Sequence, residues 1–211
     1  GGPGPKEAEK VSAKGSVTQV SRPRLVVYRP ERPNGTAMLV IAGGGYAHIE
    51  RGTESTPACL WLQSQGVTAF ELVYRLPGEH WPAVAPLQDG QRAMRVIRAS
   101  AQEFGLDTGH IGVMGFSAGG HLAGITAATP GVARYPLLDE IDKQSSRPDF
   151  AALIYPVLTF MPPFDHTHAR REIVGEHPTA EESAAFSVDH LVTAQMPPTF
   201  LAQAQDDPIS P

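Results

Sequence analysis

The chain has 211 residues, and its 17 Lys and Arg residues against 22 Asp and Glu residues give a formal net charge of −5. This length suits one α/β domain, and a composition of 41% hydrophobic and 18% charged residues excludes a disordered or fibrous protein. The mild acidity without a Lys/Arg cluster argues against nucleic-acid binding, no apolar run reaches the roughly 18–20 residues that span a bilayer, and a single cysteine excludes an internal disulfide or a Cys-rich zinc site.

Along the chain, a polar lead-in precedes alternating strand and helix patterns. Residues 1–15 are rich in Gly, Pro, Lys and Glu and have no apolar period, so we expect a flexible lead-in and one domain over residues 16–211. Short apolar runs predict strands at residues 25–28, 37–41, 67–74, 110–114, 150–155 and 199–202. Helices are predicted at residues 57–65, 87–104, 118–128 and 181–186. In the second of these helices, Arg92, Arg95 and Arg98 predict a solvent-exposed face.

Strands that alternate with helices predict a mostly parallel sheet covered by helices on both faces. The continuous apolar runs agree, because parallel strands are buried on both sides. Ligand sites in such sheets lie beyond the carboxyl ends of the strands. The segments that follow Ile41, Met114 and Ala202 are therefore the places where a site is expected.

The segment after the fourth predicted strand is Gly115-Phe116-Ser117-Ala118-Gly119, a G-x-S-x-G pattern. Between a strand and a helix, this pattern is typical of a tight turn that projects a nucleophilic serine above the sheet. The backbone N–H of Ala118 would then face the oxyanion that develops in acyl transfer. The alternative is a glycine-rich turn whose serine only caps the helix.

Three consecutive glycines, Gly43, Gly44 and Gly45, follow the second predicted strand. Backbone without side chains can approach a ligand closely, and acyl transfer needs N–H donors aimed at the tetrahedral oxyanion. We predict that these glycines supply such donors. The alternatives are a flexible turn or a phosphate-binding loop, although the usual phosphate-loop patterns are absent.

A pair of carboxylates, Asp206 and Asp207, comes before Pro208 after the sixth predicted strand. A carboxylate at this place can orient a histidine base and stabilise its protonated form. The residue pattern leaves the choice between the two aspartates open. The alternative is a solvated Asp-Pro turn.

Together these segments resemble the α/β-hydrolase superfamily, and more closely its bacterial branch of carbohydrate esterases that are similar to acetyl xylan esterases. The resemblance runs from about residue 25 to the last residue and is carried by Gly43-Gly44-Gly45-Tyr46, Tyr74-Arg75-Leu76, the stretch from Ile111 to Ala123, Arg147-Pro148-Asp149-Phe150, Tyr155-Pro156 and Pro197-Pro198-Thr199-Phe200-Leu201.

The resemblance implies an α/β-hydrolase fold and a role for each matching site residue. Ser117 would be the nucleophile and Asp207 the acid of the triad, with Gly44 and Ala118 as the favoured oxyanion donors. Ala42 departs from the family pattern, because many relatives carry His or Pro there, and this departure puts the loop geometry in doubt rather than the reaction.

A serine nucleophile also needs a base within hydrogen-bond reach. In this fold the order along the chain is Ser, Asp, His, and only four residues follow Asp207 here. We therefore expect the histidine to lie beyond Pro211, so that the fold is incomplete at its C-terminus and this chain alone has weak or no activity. His121 should lie below the serine on its helix, whereas His48 could reach the pocket.

The resulting prediction is a serine carboxylic-ester hydrolase that deacetylates acetylated carbohydrate through an acyl-enzyme on Ser117. Tyr46 and His48 are predicted substrate contacts, and no metal or cofactor is needed, although His166 and His168 near Asp165 leave a weak metal site as an alternative. The substrate would be a small acylated carbohydrate or another ester, with no nucleic-acid or membrane partner.

Two other functions stay open, and a third is disfavoured. The chain could be a catalytically impaired binding protein of the same fold, or a peptidase of that fold. A glycosidase needs two facing carboxylates, which the adjacent Asp206 and Asp207 do not offer. Plant-polysaccharide relatives are often exported, so we expect a periplasmic or secreted protein, with a cytoplasmic location left open.

Overall fold

A computed structural model describes residues 4–78 and 81–210. Its centre is a six-stranded sheet made of β3 (Arg24–Tyr28), β4 (Ala37–Ile41), β5 (Thr68–Val73), β6 (Ile111–Phe116), β7 (Phe150–Ile154) and β8 (Thr199–Ala202). Their order in the sheet is β3-β5-β4-β6-β7-β8, and only β3 runs antiparallel to its neighbour. The predicted mostly parallel sheet and all six of its strands are confirmed, with differences of one or two residues at the ends.

Helices cover both faces of this sheet, as predicted. They are α1 (Thr56–Ser64), α2 (Ala85–Ala99), α3 (Ala101–Phe104), α4 (Ser117–Ala128), α5 (His168–Val174), α6 (Ala180–Ala185) and α7 (Val188–Leu191). The predicted helix at residues 87–104 is divided at Ser100, and α5 and α7 were not predicted. In the described part of the chain, no helix is long and apolar enough to cross a membrane.

Alternation along β4 explains the two layers of the core. Met38 and Val40 point to the face where Cys59 and Leu62 of α1 pack, whereas Leu39 and Ile41 point to the face covered by α2 and α4. All five residues of β4 are buried. Burial on both faces is why the strand reads as a continuous apolar run.

A short strand lies within residues 1–15, the range predicted as a flexible lead-in. β1 (Lys10–Val11) pairs antiparallel with β2 (Val17–Thr18), and these two strands form an N-terminal hairpin. Val17 in turn exchanges two backbone hydrogen bonds of 2.9 Å with Ile49. The hairpin therefore packs on the segment that directly follows the glycine loop.

The arginine face of α2 is also covered, contrary to the predicted solvent exposure. Arg92 and Arg95 bind the carboxylate of the buried Asp142 at 2.7 and 3.3 Å. Arg98 donates to the carbonyl oxygen of Arg147 at 2.7 Å. The segment between α4 and β7 thus lies over this face and is bound to α2 by the three arginines.

Candidate active site

The predicted strand–turn–helix setting of Ser117 is confirmed. Ser117 lies between the end of β6 and the body of α4, and its φ of +50° places it in the left-handed region that non-glycine residues rarely adopt. A Cβ at Gly115 would collide with the carbonyl of Gly119, so the turn tolerates no side chain there. This strained turn is the geometry that exposes a serine hydroxyl at the carboxyl edge of the sheet.

The glycine loop that follows β4 touches this turn. A Cβ at Gly43 would lie 2.8 Å from Cβ of Ser117 and 2.7 Å from the carbonyl oxygen of Phe116. Only a glycine allows this approach. The fold therefore brings the two predicted parts of the site, the loop and the serine, into contact.

Two N–H groups of the glycine loop have no protein acceptor among the described residues. They belong to Gly44 and Gly45, whose φ values are +113° and +63°. The loop is closed behind them by the N–H groups of Ala47 and His48, which donate to the Gly44 carbonyl at 3.1 and 3.3 Å. Ala118 adds a third donor, because N–H groups in the first turn of a helix lack intrahelical acceptors.

The prediction for Gly43 needs a correction. Its N–H donates to Oε2 of Glu54 at 2.6 Å, so in this structure it is already paired and does not face a developing oxyanion. Burial raises the pKa of Glu54 above its usual range, although the Gly43 N–H and the Tyr155 hydroxyl oppose that shift. No sequence pattern singled out Glu54, and Tyr155 entered only as part of the family resemblance, without a role in the site.

The prediction that Tyr46 contacts substrate is wrong. Its side chain is fully buried, and its hydroxyl is 2.7 Å from Nδ1 of His121. The other ring nitrogen of His121 donates to the Phe186 carbonyl at 2.7 Å, and burial keeps the ring neutral, so Nδ1 accepts the hydrogen bond of the tyrosine hydroxyl. Tyr46 holds the end of the glycine loop against α4, and His121 has no free nitrogen for catalysis.

Acid should destabilise the fold through His121. Burial lowers the pKa of His121 to about 4, and the unfolded side chain has a pKa of about 6.5. Between pH 6.5 and 4 the unfolded state binds a proton at His121 and the folded state does not. The free energy of unfolding therefore falls as the pH drops through this range, by about 3 kcal/mol in total.

Urea denaturation at several pH values measures this loss. The variant His121→Asn should be less stable than the wild type at pH 7.5, yet lose less stability between pH 6.5 and 4, because no buried imidazole remains. Equal losses in the two proteins over that range would contradict the assignment.

Asp207 is the better fixed of the two candidate acids. Its Oδ1 accepts the N–H groups of Ser210 and Ile209 at 2.9 and 2.8 Å, and these bonds hold its pKa below the usual range. Its charge also reaches the hydroxyl of Tyr155 at the end of β7 and contributes to that group's raised pKa. Asp206, by contrast, is exposed.

The other histidines that the structure describes lie beside the glycine loop or on the surface. His48 packs on Gly44, where an added Cβ would be 2.9 Å from its ring, and its Nε2 lies 2.8 Å from Glu50. His168 packs on Gly45, where an added Cβ would lie 3.3 Å from Cβ of His168, and the sequence pattern did not reveal this neighbour. Four others are exposed, namely His110, His166, His177 and His190. The last one, His80, lies outside the described residues.

Within the described ranges, no histidine hydrogen-bonds to Ser117, and no three His, Cys, Asp or Glu side chains are grouped to hold a metal ion. The site therefore consists of the serine turn, the glycine loop and the Asp207 turn. All three lie at the carboxyl edge of parallel strands, after β6, β4 and β8.

A serine turn after a central parallel strand, beside a glycine loop, defines an α/β-hydrolase fold. Comparison with known proteins then identifies the family. The BD-FAE family profile matches residues 25–211, and the chain belongs to this family.

Curated relatives share this part of their sequence with the chain. It is 29% identical over 191 residues to an acetylxylan esterase of Xylanibacter ruminicola, a match that covers 89% of this chain and 37% of that protein. It is 34% identical over 176 residues to endo-1,4-beta-xylanase B of Butyrivibrio fibrisolvens, covering 82% of this chain and 27% of that protein. The chain thus spans well under half the length of these relatives.

Solved structures agree with the fold. An acetyl ester-xyloside bifunctional hydrolase from Caldicellulosiruptor lactoaceticus superposes with a TM-score of 0.78 at 36% identity, covering 90% of this chain and 68% of that one. Esterase 2 of Thermogutta terrifontis, solved after phosphoramylation by tabun, gives a TM-score of 0.74 at 26% identity and covers 99% of this chain and 74% of its own.

Proposed function

We propose that the protein is a serine carboxylic-ester hydrolase that removes acetyl groups from acetylated carbohydrate, with acetylated xylan as the substrate class. The observation that carries the proposal is the contact between the strained Ser117 turn and the glycine loop. Acyl transfer needs a projecting hydroxyl beside fixed N–H donors, and this contact supplies both. The acetylxylan esterase of Xylanibacter ruminicola supports the choice of substrate.

In this mechanism Ser117 Oγ attacks the acyl carbon, and its proton passes to a base. The carbonyl electron pair moves to oxygen, where the N–H groups of Gly44, Gly45 and Ala118 stabilise the charge, at about 3–4 kcal/mol per donor. Collapse of the intermediate breaks the bond between the acyl carbon and the sugar oxygen, which takes the proton from the base and leaves as a hydroxyl. Water then attacks the acyl-enzyme by the same steps and releases acetate.

We propose Asp207 as the acid that orients the base, because its carboxylate is fixed and Asp206 is exposed. His121 cannot be the base, since both of its nitrogens are engaged. The proposed base is a histidine that follows Asp207 in the full gene product, in the order Ser, Asp, His of this fold.

His48 is the proposed contact for the sugar. It lies against Gly44 and borders a cleft of about 440 Å³ between the glycine loop and the N-terminal hairpin. Polar side chains of its lining include those of Ser16, Thr18 and Glu50. Such groups can exchange hydrogen bonds with sugar hydroxyls.

Covalent labelling tests the reaction class. The full gene product is expected to hydrolyse p-nitrophenyl acetate and to be inactivated by a fluorophosphonate, with the adduct on the peptide that contains Ser117. Mass spectrometry locates the adduct, and acetate release from acetylated xylan tests the substrate. Tabun modifies the related esterase 2 of Thermogutta terrifontis, which supports the use of an organophosphorus reagent.

Two results would contradict the proposal. A folded full gene product that is neither labelled nor active would favour a binding protein of this fold. Full turnover by residues 1–211 alone, lost on His48→Ala, would make His48 the base rather than a sugar contact.

A further inference from the structure

Glu54 is a partly buried carboxylate beside the nucleophile that the mechanism above does not use. Its Oε2 accepts the Gly43 N–H at 2.6 Å, and its Oε1 accepts the hydroxyl of Tyr155 at 3.2 Å. A Cβ at Gly43 would lie 3.2 Å from this Oε2 and 2.8 Å from Cβ of Ser117. The carboxylate and the serine thus flank the same point of the glycine loop.

Tyr155 extends this contact to the other loops of the site. It directly follows β7, has a φ of +36°, and donates its N–H to the Ala202 carbonyl of β8 at 2.7 Å. Its ring lies 5.9 Å from that of Phe116, the residue before the nucleophile. Through Tyr155, Glu54 connects the glycine loop to the ends of β6, β7 and β8.

The backbone around Glu54 is itself anchored to the sheet. Residues Arg51–Ser55 form a short π-helical turn. Arg51 and Ser55, at its two ends, each bind the buried carboxylate of Glu71 on β5, at 2.6 Å. Such turns concentrate at functional sites. The turn thus holds Glu54 at a fixed height above the strand ends.

The hydrogen bond to Glu54 makes neighbouring N–H groups of the glycine loop differ in their role. The Gly43 N–H is used to fix the loop, while those of Gly44 and Gly45 have no acceptor among the described residues. An oxyanion hole works when its donors are held in place before the reaction. A negative charge on Glu54 would repel the developing oxyanion and so cannot favour the reaction. The contribution of Glu54 therefore comes from the length of its side chain and from the oxygen that accepts the Gly43 N–H.

We propose that Glu54 is a positioning residue that fixes the glycine loop through Gly43, so that the Gly44 and Gly45 N–H groups are preset for the tetrahedral intermediate. This inference rests on the proposed function. It predicts that the length of the side chain and an oxygen acceptor matter, whereas its negative charge does not.

Three substitutions in the full gene product separate reach from charge. Glu54→Ala should lower kcat for p-nitrophenyl acetate by about 10²-fold with KM little changed, because the loss falls on the transition state. Glu54→Gln keeps an oxygen acceptor and should stay within about threefold of the wild type. Glu54→Asp keeps the charge but is one methylene shorter, and should lose about tenfold or more. The exposed Glu31→Ala is the matched control.

Phenylboronic acid tests the oxyanion hole directly, because its inhibition constant would not change if Glu54 had only a structural role. Ser117 Oγ adds to the boron, and the tetrahedral adduct places an oxygen in the oxyanion hole. Its inhibition constant should rise with the loss of kcat across the three variants, at unchanged KM. Should Glu54→Ala not fold, the comparison of Glu54→Gln with Glu54→Asp decides.

Two results would overturn the inference. One is a Glu54→Ala variant whose inhibition constant and kcat equal those of the wild type. If the alanine variant does not fold, the same result for Glu54→Asp would overturn the inference. The other is Glu54→Asp more active than Glu54→Gln, because charge would then matter more than reach. A wild-type protein that is neither labelled by fluorophosphonate nor inhibited by the boronic acid would instead contradict the proposed function.

Discussion

Ser117→Ala is expected to lower kcat of the full gene product on p-nitrophenyl acetate by at least about 10⁴-fold. The attacking oxygen is lost, and single deletions of serine nucleophiles in comparable enzymes have effects of this size or larger. Alanine keeps the Cβ and therefore the same left-handed backbone at φ +50°. The free energy of unfolding should thus change by no more than about 0.5 kcal/mol.

Steady-state kinetics and urea denaturation of the same preparation check both parts. Fluorophosphonate should leave no adduct on the variant. If the variant kept activity within tenfold of the wild type at unchanged stability, the nucleophile would have to be another residue.

Glu71→Ala is expected to lower the free energy of unfolding by about 3–5 kcal/mol. Glu71 is fully buried on β5 and accepts hydrogen bonds from Tyr28, Arg51, Ser55 and Thr56, at 2.6–3.0 Å. Burial raises its pKa, but these bonds outweigh that effect and hold the pKa below its usual range. Without the carboxylate, a largely covered guanidinium and three hydroxyls lose their acceptor.

Guanidinium chloride denaturation at pH 7 measures this loss. Glu103→Ala, which removes an exposed glutamate from α3, is the control and should change stability by no more than about 0.5 kcal/mol. Glu71→Gln keeps one acceptor oxygen and should fall between the two. A loss below about 1 kcal/mol for Glu71→Ala would mean that water replaces the carboxylate.

Local patterns were sufficient to predict the sheet and the serine turn. β4 is a continuous apolar run followed by glycines, and the serine turn is a short motif between a strand and a helix. Both signals are contained within about ten residues, so no distant contact is needed to read them. The predicted order of strands and helices then places the two segments at one edge of the sheet.

Contacts between distant segments were not predictable in this way. The strands of the N-terminal hairpin have two residues each, too few to show an alternating pattern. The arginines of α2 look like a solvent face because helical periodicity does not reveal a loop that lies 47 to 49 residues further along the chain. Tyr46 follows three glycines, and nothing local indicates that its hydroxyl turns inward to His121.

The contacts of Glu54 and Glu71 were likewise not predictable from the sequence. Glu54 and Glu71 stand alone in the sequence without a motif, and their partners are chosen by the fold. A glutamate inside a predicted buried strand, as at position 71, was nevertheless a detectable signal. A charge at such a position is costly unless it is paired, so it indicates a binding partner on another element.

The pairing of Val17 with Ile49 has a practical consequence for handling the protein. An expression clone trimmed to Leu25, where the family match begins, would retain every strand of the main sheet yet strip away the β2 strand that pairs with the segment after the glycine loop. Affinity tags or protease nicks near residues 10–18 would likewise alter one wall of the cleft beside His48. Directed evolution of substrate preference could therefore begin at the amino terminus.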